Sequence, residues 1–199
     1  MLRLGLTGGI ATGKTAVAAM LREMGFPVLD ADSVAHKLIE PRQPAYERVL
    51  SEFGPSILDA QQRVDRAKLA ALVFADRAKL GRLNAIVHPL VVEIIDRQFE
   101  QWAKDGIRDA AFVEAALIVE AGLHQKLDGL VVTYSPAKQQ LLRLRERGMS
   151  EEEARQRIAA QLPTAEKLRH ATQTIDCSGT LEQTRRQVEM LAAKLRHQL

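Results

Sequence analysis

The segment Leu2-Arg3-Leu4-Gly5-Leu6-Thr7-Gly8-Gly9-Ile10-Ala11-Thr12-Gly13-Lys14-Thr15 decides the fold. From Gly8 to Thr15 it satisfies the pattern G-x-x-x-x-G-K-[ST] in full. Leu2 to Leu6 reads as a short strand before the pattern. Thr15 to Met24 reads as a helix after it, with Val17, Ala18, Leu21 and Met24 at helical spacing. Gly25 stands where a left-handed helix cap is common, and Phe26-Pro27-Val28-Leu29 reads as a second strand running into Asp30-Ala31-Asp32. Strand, helix and strand at this spacing form a βαβ unit, hence a parallel sheet with a right-handed crossover.

The residue types in the loop state its chemistry. Glycines let the backbone turn tightly and aim successive N–H groups at phosphate oxygens, and the helix that follows adds its positive end to the same anion. Lys14 reaches β- and γ-phosphates as a point charge, and Thr15 offers a hydroxyl to Mg²⁺. Gly8, Gly9, Ile10, Ala11, Thr12, Gly13, Lys14, Thr15 and Ala16 are therefore expected to hold a nucleoside triphosphate such as ATP.

Composition narrows the class. With 199 residues, 46% hydrophobic and 27% charged, the chain has the make-up of a globular domain with its own core. Only 4% of residues are aromatic, too few for the base-stacking platforms of nucleic-acid binders. The net charge is +3, and the positive surplus lies in residues 137–199, on predicted helices with Glu interleaved, the pattern of a solvated face. Neither a nucleic-acid nor a membrane partner is expected. Cys177 is the only cysteine, which excludes an intramolecular disulfide and a cysteine-cluster zinc site. No apolar run approaches the roughly 18 residues of a membrane span, and no signal-peptide core is seen at the N-terminus, so a cytoplasmic setting is expected.

Residues Ser33 to Phe99 read as helices broken at Pro41 and Pro44, at Phe53-Gly54-Pro55 and at His88-Pro89. Ala111-Phe112-Val113 and Leu130-Val131-Val132-Thr133 are the short apolar runs of buried parallel strands. Ser135-Pro136 opens a helix as N-cap and first helical residue, and Gly148 ends it. Ser150-Glu151-Glu152-Glu153 opens the next as a capping box, and that helix is expected to reach about Leu162. Thr174-Ile175-Asp176 is a last strand, followed by a helix from about Leu181. The expected fold is α/β, a three-layer core around a parallel sheet with a phosphate loop. The core takes residues 1–35, 107–136 and 166–199, a helical acceptor-binding region about 36–106, and a helical lid about 137–165.

The loop binds a nucleotide without naming the acceptor. The Asn-Lys-x-Asp of a guanine-specific GTPase is absent, Asp176-Cys177-Ser178-Gly179 lies too far along the chain to be a switch, and helicase or transporter ATPases need a longer chain. A small-molecule kinase fits the length. A non-catalytic nucleotide-binding regulator is the reading from another class. Asp30 and Asp32 stand at the carboxyl end of the second strand, where α/β sheets place their ligands, and residues two apart on an extended chain point the same way. One of them can take the proton of an attacking hydroxyl, or both can be turn and helix-capping residues. Glu114 after the third strand is similar to an acid that holds Mg²⁺ through water. Arg143, Arg145, Arg147, Arg155 and Arg157 suit a lid that closes over phosphates, while Glu151–Arg155 is also an ordinary i,i+4 pair. His88 is read as a phosphate or ribose ligand or as a structural residue at a helix boundary. Cys177 has no activating neighbour in the sequence.

Leu6 to Thr15, Asp30-Ala31-Asp32, His88-Pro89-Leu90 and Arg157-Ile158-Ala159-Ala160-Gln161 together closely resemble the dephospho-CoA kinase family, with Ile175-Asp176 and Ser178-Gly179 similar to its C-terminal strand and turn. The resemblance covers nearly the whole chain. It implies transfer of the γ-phosphoryl group of ATP to the ribose 3′-hydroxyl of dephospho-CoA, with Mg²⁺. It also implies Asp32 as catalytic base, Lys14 as phosphate clamp, Thr15 as metal ligand, Thr7 close to the reacting phosphates, and Arg143 and Arg147 as lid arginines. A monomer or weak homo-oligomer is expected. Another small-molecule or nucleoside monophosphate kinase is the nearest alternative. The chain departs from the family pattern at Ala116, where Pro is usual, at Glu114 for Asp, and at Thr172 and Cys177 in place of Asp and Asn.

Overall fold

The computed structural model describes residues 1–74 and 76–197. Its sheet has five parallel strands, β1 (Leu2–Gly8), β2 (Val28–Asp30), β3 (Ala110–Glu114), β4 (Gly129–Tyr134) and β5 (Gln173–Asp176), in the order β2-β3-β1-β4-β5. The phosphate-loop strand is thus central, between β3 and β4. Register aligns the carboxyl ends, pairing Leu6 and Asp30 with Glu114, and Gly8 with Thr133. The apolar runs over β3 and β4 are buried, as strands covered on both faces must be.

Contacts divide the chain into two compact units, Met1–Asp30 with Gln98–Leu199, and Ala31–Arg97. In the first, α1 (Lys14–Glu23) and α9 (Leu181–Arg196) pack together over the sheet. Val17, Ala18 and Leu21 from α1 meet Val188, Leu191 and Leu195 from α9 above Leu4, Leu6, Phe112, Val131 and Ile175. Phe26 meets Phe112 edge-to-face at 5.8 Å. Full burial of each such large side chain stabilises by about 1.5–3 kcal/mol. The sequence places α1 one residue late at its start, and Gly25, at φ 89, follows its last turn as expected. The same unit holds α6 (Ala137–Glu146), α7 (Glu151–Ala159) and α8 (Thr164–Leu168). The Ser150 capping box forms in full, its hydroxyl accepting the Glu153 N–H while the Glu153 carboxylate accepts the Ser150 N–H.

Two expectations fail here. The cap of α6 is Pro136 itself, with extended ψ and no side-chain cap; Ser135 lies one residue further out, so Pro136 does not stand at the first helical position. Helix α7 stops at Ala159 rather than near Leu162, and Pro163 instead caps α8, a five-residue helix not foreseen. Proline has no N–H to continue α7, but its fixed φ suits a helix start.

The second unit is helical: α2 (Ala31–Leu38), α3 (Tyr46–Phe53), α4 (Arg66–Phe74) and most of α5 (Arg77–Lys104). Asp65 and Asp76 start α4 and α5, each carboxylate accepting two backbone N–H groups of the first turn. A third correction concerns Pro89, which lies inside α5 and is no boundary. Proline removes one ladder hydrogen bond, but Ile86, Val87, Val91, Ile95 and Phe99 are all buried along the helix, and their packing carries it through. Among the described residues no helix is long and apolar enough to cross a membrane.

Candidate active site

The turn from β1 into α1 is built by close approach. A Cβ on Gly8 would stand 2.1 Å from the Thr133 hydroxyl oxygen and 2.7 Å from the Thr133 carbonyl oxygen, so only glycine fits beside β4. Gly13 caps α1 at φ 104, a left-handed conformation, and Cys177 lies against it, leaving no room for a side chain. Thr12 points inward. Its hydroxyl donates to the Gly9 carbonyl at 2.8 Å and meets the Thr133 hydroxyl at 2.9 Å, and its N–H also donates to Gly9. Ala11 takes φ 59 without being glycine.

Around this turn opens a cleft of about 550 Å³. Gly8, Gly9, Ile10, Ala11, Gly13, Lys14, Thr15 and Ala16 line it, with Arg143 and Arg147 across from α6 and Cys177, Gly179 and Leu181 at the start of α9. Thr12 supports the loop without lining the cleft. The first N–H groups of α1 lack carbonyl acceptors within their own helix and are directed at its N-terminal end, where the cleft lies.

Glu114, at the end of β3, is buried. Its carboxylate stands 3.7 Å from the Lys14 ammonium and 3.6 Å from the Arg22 guanidinium. Lys14, Thr15 and Glu114 are thus gathered at one end of the sheet, and Thr7 joins them from below, its buried hydroxyl donating to the Ala115 and Ala116 carbonyls at 2.8 and 3.3 Å. The hydroxyl of Thr15 and the carboxylate of Glu114 are hard oxygen donors, the kind and small number that Mg²⁺ accepts from protein while keeping its waters.

Arg143 does more than face the cleft. It donates to the Ala11 carbonyl at 3.0 Å and to the Cys177 carbonyl at 2.7 Å, tying α6 to the phosphate loop and to the turn after β5. That turn is further set by Asp176, whose carboxylate accepts the Ser178 N–H at 2.8 Å; hydrogen bonding from Ser178, its hydroxyl first and its N–H second, holds the Asp176 pKa low. Arg147, the last-turn cap of α6, is exposed. Arg155 does pair with Glu151 within α7, and Arg145 of α6 lies within ion-pair reach of the same carboxylate, so Arg145 is the one that reaches across the α6–α7 hairpin. Cys177 is buried, and burial pushes its thiol up to about 11. Thr172, where Asp was expected, splices β4 to the start of β5: its hydroxyl accepts the Leu130 N–H and donates to the Leu130 carbonyl.

Asp32 and His88 belong to the helical unit. Asp32 stands in the first turn of α2, two residues beyond the end of β2. The extended-chain argument relating it to Asp30 fails, because the helix begins at Ala31 and Asp30 and Asp32 do not share a strand. His88 is half-buried within α5, and burial lowers its pKa, so its ring is neutral at neutral pH. Sequence reasoning missed the contacts of Arg22 and Gln161 at this site. The Gln161 amide oxygen accepts the Ile10 N–H at 2.7 Å, across 151 residues of chain that no periodicity could bridge.

A family model described as CoaE, dephospho-CoA kinase, matches residues 2–183. The chain is 45% identical over 188 residues to a dephospho-CoA kinase of Geobacillus kaustophilus, covering 94% of this chain and 93% of that one. Its structure is similar to that of TT1252 from Thermus thermophilus, with a TM-score of 0.84, 33% identity and coverage of 98% and 97%. It is similar also to a dephospho-CoA kinase from Campylobacter jejuni, with a TM-score of 0.72, 26% identity and coverage of 99% and 98%.

Proposed function

The chain belongs to the dephospho-CoA kinase family, and from that membership we propose how its residues divide the work. It is an ATP-dependent kinase that phosphorylates the ribose 3′-hydroxyl of dephospho-CoA, the final step of coenzyme A biosynthesis. The observation that carries the assignment of roles is the cleft lined by the glycine loop, with Lys14 in the first turn of the helix it opens.

The triphosphate lies along the loop, its oxygens taken by the N–H groups that begin α1. Lys14 meets the β- and γ-phosphates. The hydroxyl of the acceptor attacks the γ-phosphorus in line, the bond from that phosphorus to the β–γ bridging oxygen breaks, and ADP leaves. Asp32 takes the hydroxyl proton, and His88, as a neutral ring, hydrogen-bonds the acceptor rather than supplying charge. Thr15 and Glu114 would hold Mg²⁺, which supplies neutralisation of the β- and γ-phosphate oxygens when bound. Arg147, unengaged by the loop, contributes charge to the transferring group, while Arg143 secures the loop. Cytoplasmic operation suits a reaction that draws on ATP.

The test is an ADP-release assay with dephospho-CoA, adenylate and shikimate offered as separate acceptors. Turnover with dephospho-CoA is expected. Turnover with adenylate or shikimate but not dephospho-CoA overturns the reading, as does ATP binding with no transfer to any of them.

A further inference from the structure

The phosphate loop has an outer arm, Gly9 to Thr12, that belongs to neither β1 nor α1. Its most demanding residue is Ala11, whose φ of 59 is a conformation that a residue with a Cβ adopts only when its surroundings impose it. Two side chains bracket it. Arg143 takes the Ala11 carbonyl from one side, and Gln161 takes the N–H of the preceding Ile10 from the other, at 2.7 Å. Thr12 turns both its N–H and its hydroxyl back to Gly9. The outer-arm N–H groups of Ile10 and Thr12 are therefore engaged within the protein, and phosphate falls to the helix-side amides that the arm must leave correctly aimed.

Gln161 is itself anchored. It lies between α7 and α8, and the adjoining Leu162 N–H donates to the Glu120 carboxylate at 3.1 Å. Glu120 pairs at 2.9 Å with Lys167, whose side chain is fully buried and whose ammonium also donates to the Ala116 carbonyl at 2.5 Å. A buried cation holds its place only when paired and hydrogen-bonded, so this arrangement resists displacement. Thr7 fixes the Ala115–Ala116 backbone from the β1 side. An unbroken series of bonds thus runs from β1 through the segment after β3 to Gln161 and back to the phosphate loop.

We propose that Gln161 is a positioning residue for ATP binding: its amide oxygen holds the Ile10 N–H, keeps Ala11 in its left-handed conformation and so presets the loop for the triphosphate, with the Lys167–Glu120 pair as its anchor. The proposal rests on the kinase reading for its ligand, yet its primary readout needs no acceptor. The experiment is calorimetric titration of a non-hydrolysable ATP analogue with Mg²⁺ into the parent, Gln161→Leu, Ala11→Gly and the double variant. Gln161→Leu is expected to weaken nucleotide binding about tenfold, the scale of one well-placed hydrogen bond, with a matching rise in KM for ATP and none in KM for dephospho-CoA. In the Ala11→Gly background, where the left-handed conformation costs little, the same substitution is expected to weaken binding only about twofold. Unchanged affinity in Gln161→Leu overturns the proposal, as does an equal loss in both backgrounds. Amide hydrogen exchange gives an independent check: the Ile10 N–H of the nucleotide-free parent is protected and loses that protection in Gln161→Leu, whereas an unprotected Ile10 in the parent overturns the proposal. A parent that binds nucleotide but fails to phosphorylate dephospho-CoA contradicts the activity and leaves the titration to decide on Gln161.

Discussion

In the sheet unit, the groups aimed into the cleft are held by backbone and by what touches backbone. Gly8 admits no side chain against Thr133, Gly13 turns with φ 104 against Cys177, Arg143 grips two carbonyls and Gln161 one N–H. In the helical unit, the residues assigned to the acceptor are side chains on helices, Asp32 in the first turn of α2 and His88 midway along α5. The difference follows from the ligands. Every triphosphate presents the same oxygens to a ring of amides, whereas an acceptor is distinguished by its outline and hydroxyl, which side chains read. A defect in the first region should therefore cost nucleotide affinity, and one in the second should cost acceptor turnover alone.

The sharpest way to break that distinction is Gly8→Ala. The new methyl group would collide with the backbone of β4 and displace the start of the loop. Turnover is expected to fall by about 10²-fold, as misplacements near 1 Å cause, with a loss of ATP affinity beside it measured by calorimetry. Retention of parental affinity would show that the loop is not held by β4.

The two arginines on α6 refine the picture within the sheet unit. Arg143→Met removes two charge-assisted bonds, so the melting temperature of the nucleotide-free protein is expected to drop by about 5 °C and nucleotide affinity by about tenfold. Arg147→Met is expected to leave melting unchanged, because the side chain is exposed, and, under the proposed role on the transferring group, to lower kcat by on the order of tenfold. Identical phenotypes for the pair would dissolve the contrast between a structural and a reacting arginine.

His88 should yield the smallest effect, confined to the acceptor. His88→Gln is expected to raise KM for dephospho-CoA about threefold with KM for ATP unchanged. Burial sets its pKa below the ordinary 6.5. The unfolded chain therefore takes up this proton first, and the stability linked to the neutral ring is present above pH 6.5 and lost as pH falls through the lowered value. Melting curves between pH 7 and pH 5 should show a shallower acid-side decline in His88→Gln than in the parent.

How legible these features were in the sequence depends on what dictates each residue. The phosphate loop is fixed by local steric demands, so Gly8, Gly13, Lys14 and Thr15 announce it. The buried strands β3 and β4 show as apolar runs because both faces are covered, and the cap at Ser150 shows because its partner Glu153 is three residues away. Pro89 misled because long-range packing along α5 outweighs a local break. The end of α7 and the five residues of α8 turn on Pro163 playing cap rather than stop. The partners of Arg143 lie 132 and 34 residues away, and the burial of Lys167 answers to Glu120 and Ala116, so neither leaves any local trace.

The central claim of the proposed function is that the loop and Lys14 hold the phosphate while Asp32 takes the proton of the acceptor hydroxyl. Steady-state kinetics of Asp32→Asn with ATP and dephospho-CoA tests it most directly. A fall in kcat of about 10²-fold or more, with nucleotide affinity equal to the parent's, is the predicted result. A kcat within about twofold of the parent's would contradict it, since no general base has then been removed.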